Sequence, residues 1–337
     1  MLLKLVHRLQ PIILTLALIA VAWVLYQQWP TLRDYPWRLE IGWLLAAVLL
    51  TLMAWLMEIV LWVQLIHHLG KQRLDLVGAC RIWFLSAVVR YIPGNVWQPL
   101  SLTLYTHRRG IPVETTLTSL LLFQVLVLIT ALPISFAFAV WDGNQSLLSG
   151  FLGPVSLWLL GALLALSVVL LTQPAWLMRL LGYLLQRMGR RPLEARLSRR
   201  VLWGLTAFTL IHWLVWGAAF ATFTFAFVGD GIANRSAVVP YLIFSFSIAY
   251  AIGFLSFITP SGFGVREGAF YLLLVPRLDG AVVTVIALGM RAWTTAGELL
   301  MALGSAPFVH NLPPNVALTQ AEPEAPATDT RLHGEPT

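Results

Sequence analysis

The sequence predicts an all-α polytopic membrane protein with about six full spans and two interrupted or re-entrant helical hairpins. That makes eight hydrophobic helical segments, arranged as an inverted repeat. Three observations predict it. Of 337 residues, 58% are hydrophobic and 11% charged, against roughly 25% charged in an ordinary soluble domain. Apolar runs long enough to cross a bilayer, which takes about 20 residues as helix, cover 10–27, 41–66, 115–139, 151–171, 201–228 and 282–308. Two further apolar regions, 76–104 and 238–276, are broken near their middles by YIPGNVWQP and ITPSGFGVREG, so neither reads as one continuous helix.

The first run follows Lys4, His7 and Arg8 as a secretory signal would, and AVA at 20–22 is a nominal cleavage pattern. The apolar stretch continues through Trp23, Val24 and Leu25, which favours an uncleaved span. Lys and Arg near span ends stay in the cytoplasm. The linker 172–200, with Arg179, Arg187, Arg190, Arg191, Arg196, Arg199 and Arg200 against Glu194, is therefore placed inside. Lys4, Arg8, Lys71, Arg73, Arg108 and Arg109 fall on the same side, while Arg33, Arg38, Arg235 and Arg277 fall outside. A bacterial inner-membrane protein with both termini in the cytoplasm is expected.

The net charge of +7 sits mostly in juxtamembrane loops, where anionic headgroups attract it, so nucleic acid is not expected as a partner. One cysteine, Cys80, excludes an internal disulfide and a cysteine metal cluster. No GxxxxGK, HExxH or GxSxG motif occurs, and neither a cofactor nor enzymatic activity is expected. Trp23, Trp29, Trp37, Trp43, Trp141 and Trp203 fall near span ends and read as interfacial anchors. The segment 311–337, rich in Pro, Ala, Thr and Glu and without aromatics, reads as a disordered cytoplasmic tail behind a membrane domain of 1–310.

Both interrupted regions share one order: apolar helix, a break at Pro93-Gly94 or Pro260-Ser261-Gly262, a short helix, a charged turn, then a full span. With the orientation above, the first enters and leaves from the cytoplasm and the second from outside. That is the inverted-repeat plan of transporters whose discontinuous helices meet near the midplane. Breaks of this kind expose backbone N–H groups to an anionic ligand.

Glu58, Arg90, Arg266, Glu267, Arg291 and Glu298 fall at membrane depth, with Gln98, Gln124 and His212 as polar companions. Each charge costs about 2.5–3.5 kcal/mol on insertion scales, so partners or water are required. Arg291 lies about halfway along the last span, with Glu298 two turns later on nearly the same face. A cavity with more Arg than Glu suits a lipid phosphate, which guanidinium grips in a fork. The headgroup site is expected to comprise Arg90, Pro93, Gly94, Gln98, Gly262, Gly264, Arg266, Glu267 and Arg291. The same charges also fit an Arg–Glu network that only locks helices together. His212, beside Trp213 and Trp216, reads as a helix contact, and His67 and His68 as surface loop residues.

RYIPGNVWQP at 90–99, TPSGFGVREG at 259–268 and LGMRAWTTAGELL at 288–300 together resemble the lysylphosphatidylglycerol synthase transmembrane family. That family comprises the flippase domain of the multiple peptide resistance factor and stand-alone relatives. The resemblance implies movement of an anionic lipid between leaflets, with Arg90, Glu267 and Arg291 at the polar cavity. The soluble synthase that accompanies this domain in full-length members has no counterpart here, so lysyl transfer is not expected. The lipid is an anionic phospholipid or a polyprenyl-phosphate-linked one. Two rivals remain: an intramembrane lipid-linked transferase with Glu267 as general base, and a non-transporting partner of a synthase or glycosyltransferase docking through the basic linker. A homo-oligomer is left open.

Overall fold

A computed structural model describes residues 26, 29–35, 37–91, 96–142, 155–187, 189–193, 195, 197–229, 232, 234–256 and 262–306. The run 10–27 expected as the first span lies, Tyr26 apart, outside the described residues. The tail 311–337 and the break residues Pro93, Gly94, Pro260 and Ser261 lie outside them as well.

Within the described residues the chain is helical. A short α1 (Trp29–Asp34) precedes α2 (Ile41–Gly70), followed by α3 (Leu76–Val88), a 3-10 turn (Val89–Tyr91), α4 (Trp97–His107) and α5 (Val113–Asp142). Then come α6 (Val155–Thr172), α7 (Pro174–Arg187), α8 (Arg199–Val228), α9 (Arg235–Leu255), α10 (Val265–Leu274) and α11 (Gly280–Ser305). Four of these, α2, α5, α8 and α9, are long and apolar enough to cross a membrane, and α6 with α7 forms a further apolar pair bent by 96°. The protein is a multi-pass membrane protein. At 26 residues α11 is long enough too, about 39 Å. Its mean hydropathy is diluted by Arg291 and Glu298.

Long-range contacts fix which helix ends share a side. The Glu40 backbone N–H donates to the Ala226 carbonyl, and the Glu40 carboxylate takes Arg235 at 2.9 Å. Trp141 stacks near Tyr241 with ring centroids 5.1 Å apart. The starts of α2 and α9 and the ends of α5 and α8 are therefore on one side. On the other, Arg199 at the start of α8 donates to Gln173 after α6, and Arg109 after α4 pairs with Asp75 before α3 at 3.6 Å.

The two interrupted regions are antiparallel hairpins that open on these opposite sides. In the first, Asp75 meets Arg109 at the mouth, Ser86 bonds Ser101 at 3.0 Å midway, and Arg90 bonds Gln98 at 2.9 Å at the apex. In the second, Arg277 donates to the Tyr241 hydroxyl at 2.6 Å, Phe246 faces Phe270, and Gly262 and Arg266 pack on Gly253. The 13 residues of α3 run about 20 Å from the mouth, about two-thirds of the thickness of a hydrocarbon core of about 30 Å. Each hairpin precedes a long helix, α5 or α11, so the two-copy order read from the sequence appears in space.

One region gains detail and two readings need correction. The region 238–276 has the order read from the sequence, an apolar helix then a short one, with α9 extending to 21 residues, enough to cross alone. The break follows α9, near the middle of the region, and Pro240 is accommodated near the start of α9, where few intrahelical bonds are lost. The basic linker 172–200 contains α7, which has an apolar stripe of its own. His67 and His68 belong to the last turn of α2 rather than to a loop.

Among the described residues tryptophan serves both at the surface and inside the bundle. Trp29, Trp141 and Trp203 are exposed near helix ends, as anchors should be, and Trp37 and Trp43 are partly packed. Trp55, Trp62, Trp83, Trp213 and Trp216 are buried. Trp62 donates to Ser119, Trp213 to Thr130 and Trp293 to Thr51, so indole N–H groups stitch neighbouring helices together where no water competes. Close contact of α8 with α9 depends on Gly217, since a Cβ there would collide with the Ile243 backbone.

The opposed hairpins predict a labelling pattern. In a Cys80→Ser background, Arg109→Cys and Arg277→Cys will react with a membrane-impermeant maleimide from opposite faces of sealed vesicles. Reaction from one common face would contradict the topology.

Candidate functional site

Glu267 answers why TPSGFGVREG carries charge at membrane depth. Gly262 has φ +67° and Gly264 φ +82°, backbone that side-chain-bearing residues rarely adopt. At Gly262 a Cβ would also lie 2.7 Å from the Gly253 carbonyl oxygen. These turns start α10, and Glu267, three residues after the N-cap Gly264, folds its carboxylate back over the helix start. Oε2 accepts the Gly264 N–H at 2.7 Å, the reciprocal half of a capping box. Oε1 accepts Arg291 Nη1 from α11 at 2.8 Å. One carboxylate thus caps the second hairpin and ties it to α11. The Gly264 N–H expected to face an anionic ligand is already taken by the protein's own carboxylate.

The first hairpin is tied to the same helix. Arg90, in the 3-10 turn that ends α3, donates through Nε to Gln98 Oε1 at 2.9 Å and through Nη1 to Glu298 Oε1 at 3.2 Å. Its C-terminal 3-10 turn aims the side chain back across the apex toward α4. Arg291 and Glu298 lie seven residues apart on α11, about 10.5 Å along the axis, so one helix face carries a cation for one hairpin and an anion for the other. Glu267 and Glu298 are buried, at 8% and 7% exposure. Trp55 of α2 closes on α11 at Gly297, where a Cβ would collide with its ring.

Arg266 differs from its two neighbours. Its guanidinium carbon lies 4.8 Å above the Phe246 ring and 5.6 Å from that of Phe270. Among the described residues it makes neither a hydrogen bond nor an ion pair at contact distance, although it is within electrostatic reach of Glu267, Arg291, Tyr250 and Glu298. Stacking on aromatic faces supports a guanidinium without using its five donors. Arg291 is stacked likewise, 4.8 Å over Phe263, and uses one donor on Glu267.

A second cluster adjoins through Tyr250, which interacts with Glu58, Arg90, Arg266 and Gln124. Glu58 accepts the Trp216 indole N–H at 3.0 Å and lies 3.4 Å from His212 Nε2. His212 is buried, and neither ring nitrogen has hydrogen-bond geometry to a partner. His212 is thus a helix contact, as the sequence suggested, packed against Trp213 and Trp216 with Glu58 close by.

Of the nine residues named from the sequence, Arg90, Gln98, Gly262, Gly264, Arg266, Glu267 and Arg291 come together around α11. Pro93 and Gly94 lie outside the described residues. The charge balance differs from expectation. Arg90, Arg266 and Arg291 are matched by Glu58, Glu267 and Glu298, so the cluster is formally neutral rather than cationic. Tyr250, Phe246, Phe263 and Phe270 were missed, because an aromatic in an apolar helix carries no signal until its guanidinium partner is known. Among the described residues no group of three or more His, Cys, Asp or Glu is arranged to hold a metal.

Two opposed helical hairpins meeting at a buried Arg–Glu cluster define a polytopic membrane domain with a polar centre. Residues 11–302 match the family model for the lysylphosphatidylglycerol synthase TM region, and the chain belongs to that family. No curated protein and no solved structure matches it.

The pairing predicts strong coupling. Removing one partner of a buried pair leaves an uncompensated charge and costs about 3–5 kcal/mol. Glu267→Gln and Arg291→Met will each lower the melting temperature in detergent markedly, and the double variant will recover part of the loss. Additive single effects would show that the pair contributes no coupling.

Proposed function

We propose that the protein is a flippase-like lipid transporter whose substrate headgroup is anionic and is received by Arg266 between the two hairpin apexes. The observation that carries this reading is one guanidinium: two of the three central arginines are held by carboxylates, and the third is stacked on aromatics and, among the described residues, makes no hydrogen bond. A phosphodiester arriving there gains charge-assisted hydrogen bonds to Arg266. It also competes with Glu267 for Arg291. Loss of that bond loosens the second hairpin from α11, and the matching exchange at Glu298 loosens the first. Alternate release of the two hairpins, which open on opposite sides, gives alternating access.

Family membership and the basic-residue asymmetry support the bacterial inner membrane, with both termini in the cytoplasm. The substrate class is an anionic phospholipid or a polyprenyl-phosphate-linked lipid, and the reading assigns transport without a chemical step. A separate synthase or glycosyltransferase is the natural supplier of such a lipid.

Reconstitution tests the reading. Fluorescent phosphatidylglycerol in proteoliposomes will change leaflets with wild-type protein, and Arg266→Gln will slow this by about tenfold or more, the loss expected for charge-assisted bonds to one phosphate. Its melting temperature will change little, because no ion pair is broken. Arg90→Ala, Glu267→Ala and Arg291→Ala will also abolish movement. Wild-type rates with Arg266→Gln, for phosphatidylglycerol and for a polyprenyl phosphate alike, would remove Arg266 as the receptor.

A further inference from the structure

Away from this cluster, α7 is amphipathic in three directions rather than two. Leu177, Leu181 and Leu185, four residues apart, are fully buried against the bundle. Trp176, Leu180 and Tyr183 form a second face, exposed at 52%, 43% and 50%. The third face borders an open cavity of about 720 Å³ between α7 and residues 192–199, lined by Gln173, Arg179, Tyr183, Gln186 and Arg199 among others. Arg187 stacks 5.2 Å over the Tyr183 ring beside it.

The location decides what this cavity meets. The α6–α7 axis bends by 96° at Gln173, so if α6 runs along the membrane normal, α7 lies in the membrane plane. It sits on the side where the first hairpin opens, since Arg199 donates to Gln173. A helix lying in that plane buries its apolar side at the headgroup–acyl boundary. The exposed Trp176, Leu180 and Tyr183 then face acyl chains, while Arg179 and Arg199 are held at headgroup level. Among the described residues, Arg179 Nε bonds its own helix carbonyl, Ala175, and Arg199 Nη2 bonds Gln173 at 3.4 Å, which leaves most of their donors open.

We infer that the cavity between α7 and residues 192–199 is a second lipid site, holding the phosphodiester of an anionic glycerophospholipid between Arg179 and Arg199 while Trp176, Leu180 and Tyr183 contact its chains. A free anion would use the two arginines but not the apolar face. A zwitterionic lipid would bring its own cation against Arg179, Arg187 and Arg199. The cavity volume falls within the range of small-molecule sites, enough for a phosphoglycerol headgroup. The site stands apart from the central cluster and from the transport reading.

The test reconstitutes the full chain in phosphatidylcholine vesicles containing a minority of phosphatidylglycerol with a photoactivatable group beside its headgroup, and maps adducts by peptide mass spectrometry. Adducts in 173–199 are expected in wild type. They will fall about tenfold in Arg179→Gln/Arg199→Gln, as expected when charge-assisted bonds to a phosphate are lost. They will persist in Arg179→Lys/Arg199→Lys and in Arg266→Gln. Both arginines are exposed, so the double variants will keep the wild-type melting temperature. Undiminished labelling in the double Gln variant, or equal labelling by a phosphatidylcholine probe, overturns the proposal. Suppression by free inorganic phosphate would reassign the cavity to a soluble anion and overturn the lipid assignment.

Discussion

The fold depends on α11 presenting two opposite charges on one face. At the apex of each hairpin the helix is interrupted, and within a membrane such backbone is tolerated only when buried in protein or lining a cavity. Both hairpins meet this constraint by delivering an ionisable side chain from the apex to α11. Arg90 goes to Glu298 and Glu267 to Arg291, so each pair neutralises a charge that would otherwise cost several kcal/mol in the membrane. Because the two α11 charges differ in sign, neither hairpin apex can take the other's place. The pairing therefore also fixes which hairpin sits at which height.

The remaining packing serves that arrangement. Antiparallel α2 and α8 form the longest contact in the molecule, marked by Glu40 at Ala226 and Trp216 at Glu58. Against this pair α9 closes at Gly217, α11 at Trp55 and α5 at Trp213. The Ser, Thr and Trp groups at these seams bond to a helix carbonyl or across to a neighbour, so little polarity is left over for lipid to meet. The exceptions gather near the centre: among the described residues both His212 nitrogens are buried without hydrogen-bond geometry, and the Arg266 guanidinium stacks on two aromatic faces.

What was legible in the sequence was whatever rests on composition and on rare residues at depth. Five of the six expected spans correspond to α2, α5, α6, α8 and α11, because long apolar runs have one stable form in lipid. The two breaks and the gathering of Arg90, Glu267 and Arg291 at one polar centre followed from Pro, Gly and charge where a membrane helix disfavours them, and the opposed openings from the Lys/Arg asymmetry of the loops. That Glu267 pairs with Arg291 was seen only in the structure. Properties that depend on relative placement were not legible. The length of α9 was hidden because a break marks a point and not the extent of the helices beside it. The amphipathic α7 was hidden because its many arginines drew attention to charge and away from the Leu177–Leu181–Leu185 stripe. The neutrality of the cluster needed Glu58, on α2, to be brought beside Tyr250 and Trp216 from α9 and α8.

Neutrality changes how an anion can be held at the centre. A cationic cavity would bind phosphate tightly and release it slowly, whereas three arginines balanced by three glutamates offer net charge to a ligand only by exchange. If a phosphodiester takes the place of Glu267 on Arg291, the number of ion pairs is conserved, and what changes is which element holds them. Glu267 also caps α10, and its Oε2 bond to Gly264 can keep that helix start satisfied while Oε1 is displaced. Such an exchange needs no fully unpaired intermediate, which in the membrane would cost several kcal/mol. Binding and loosening of the hairpin then become one event, and a ligand that fails to reach both Arg266 and Arg291 has no means of driving it.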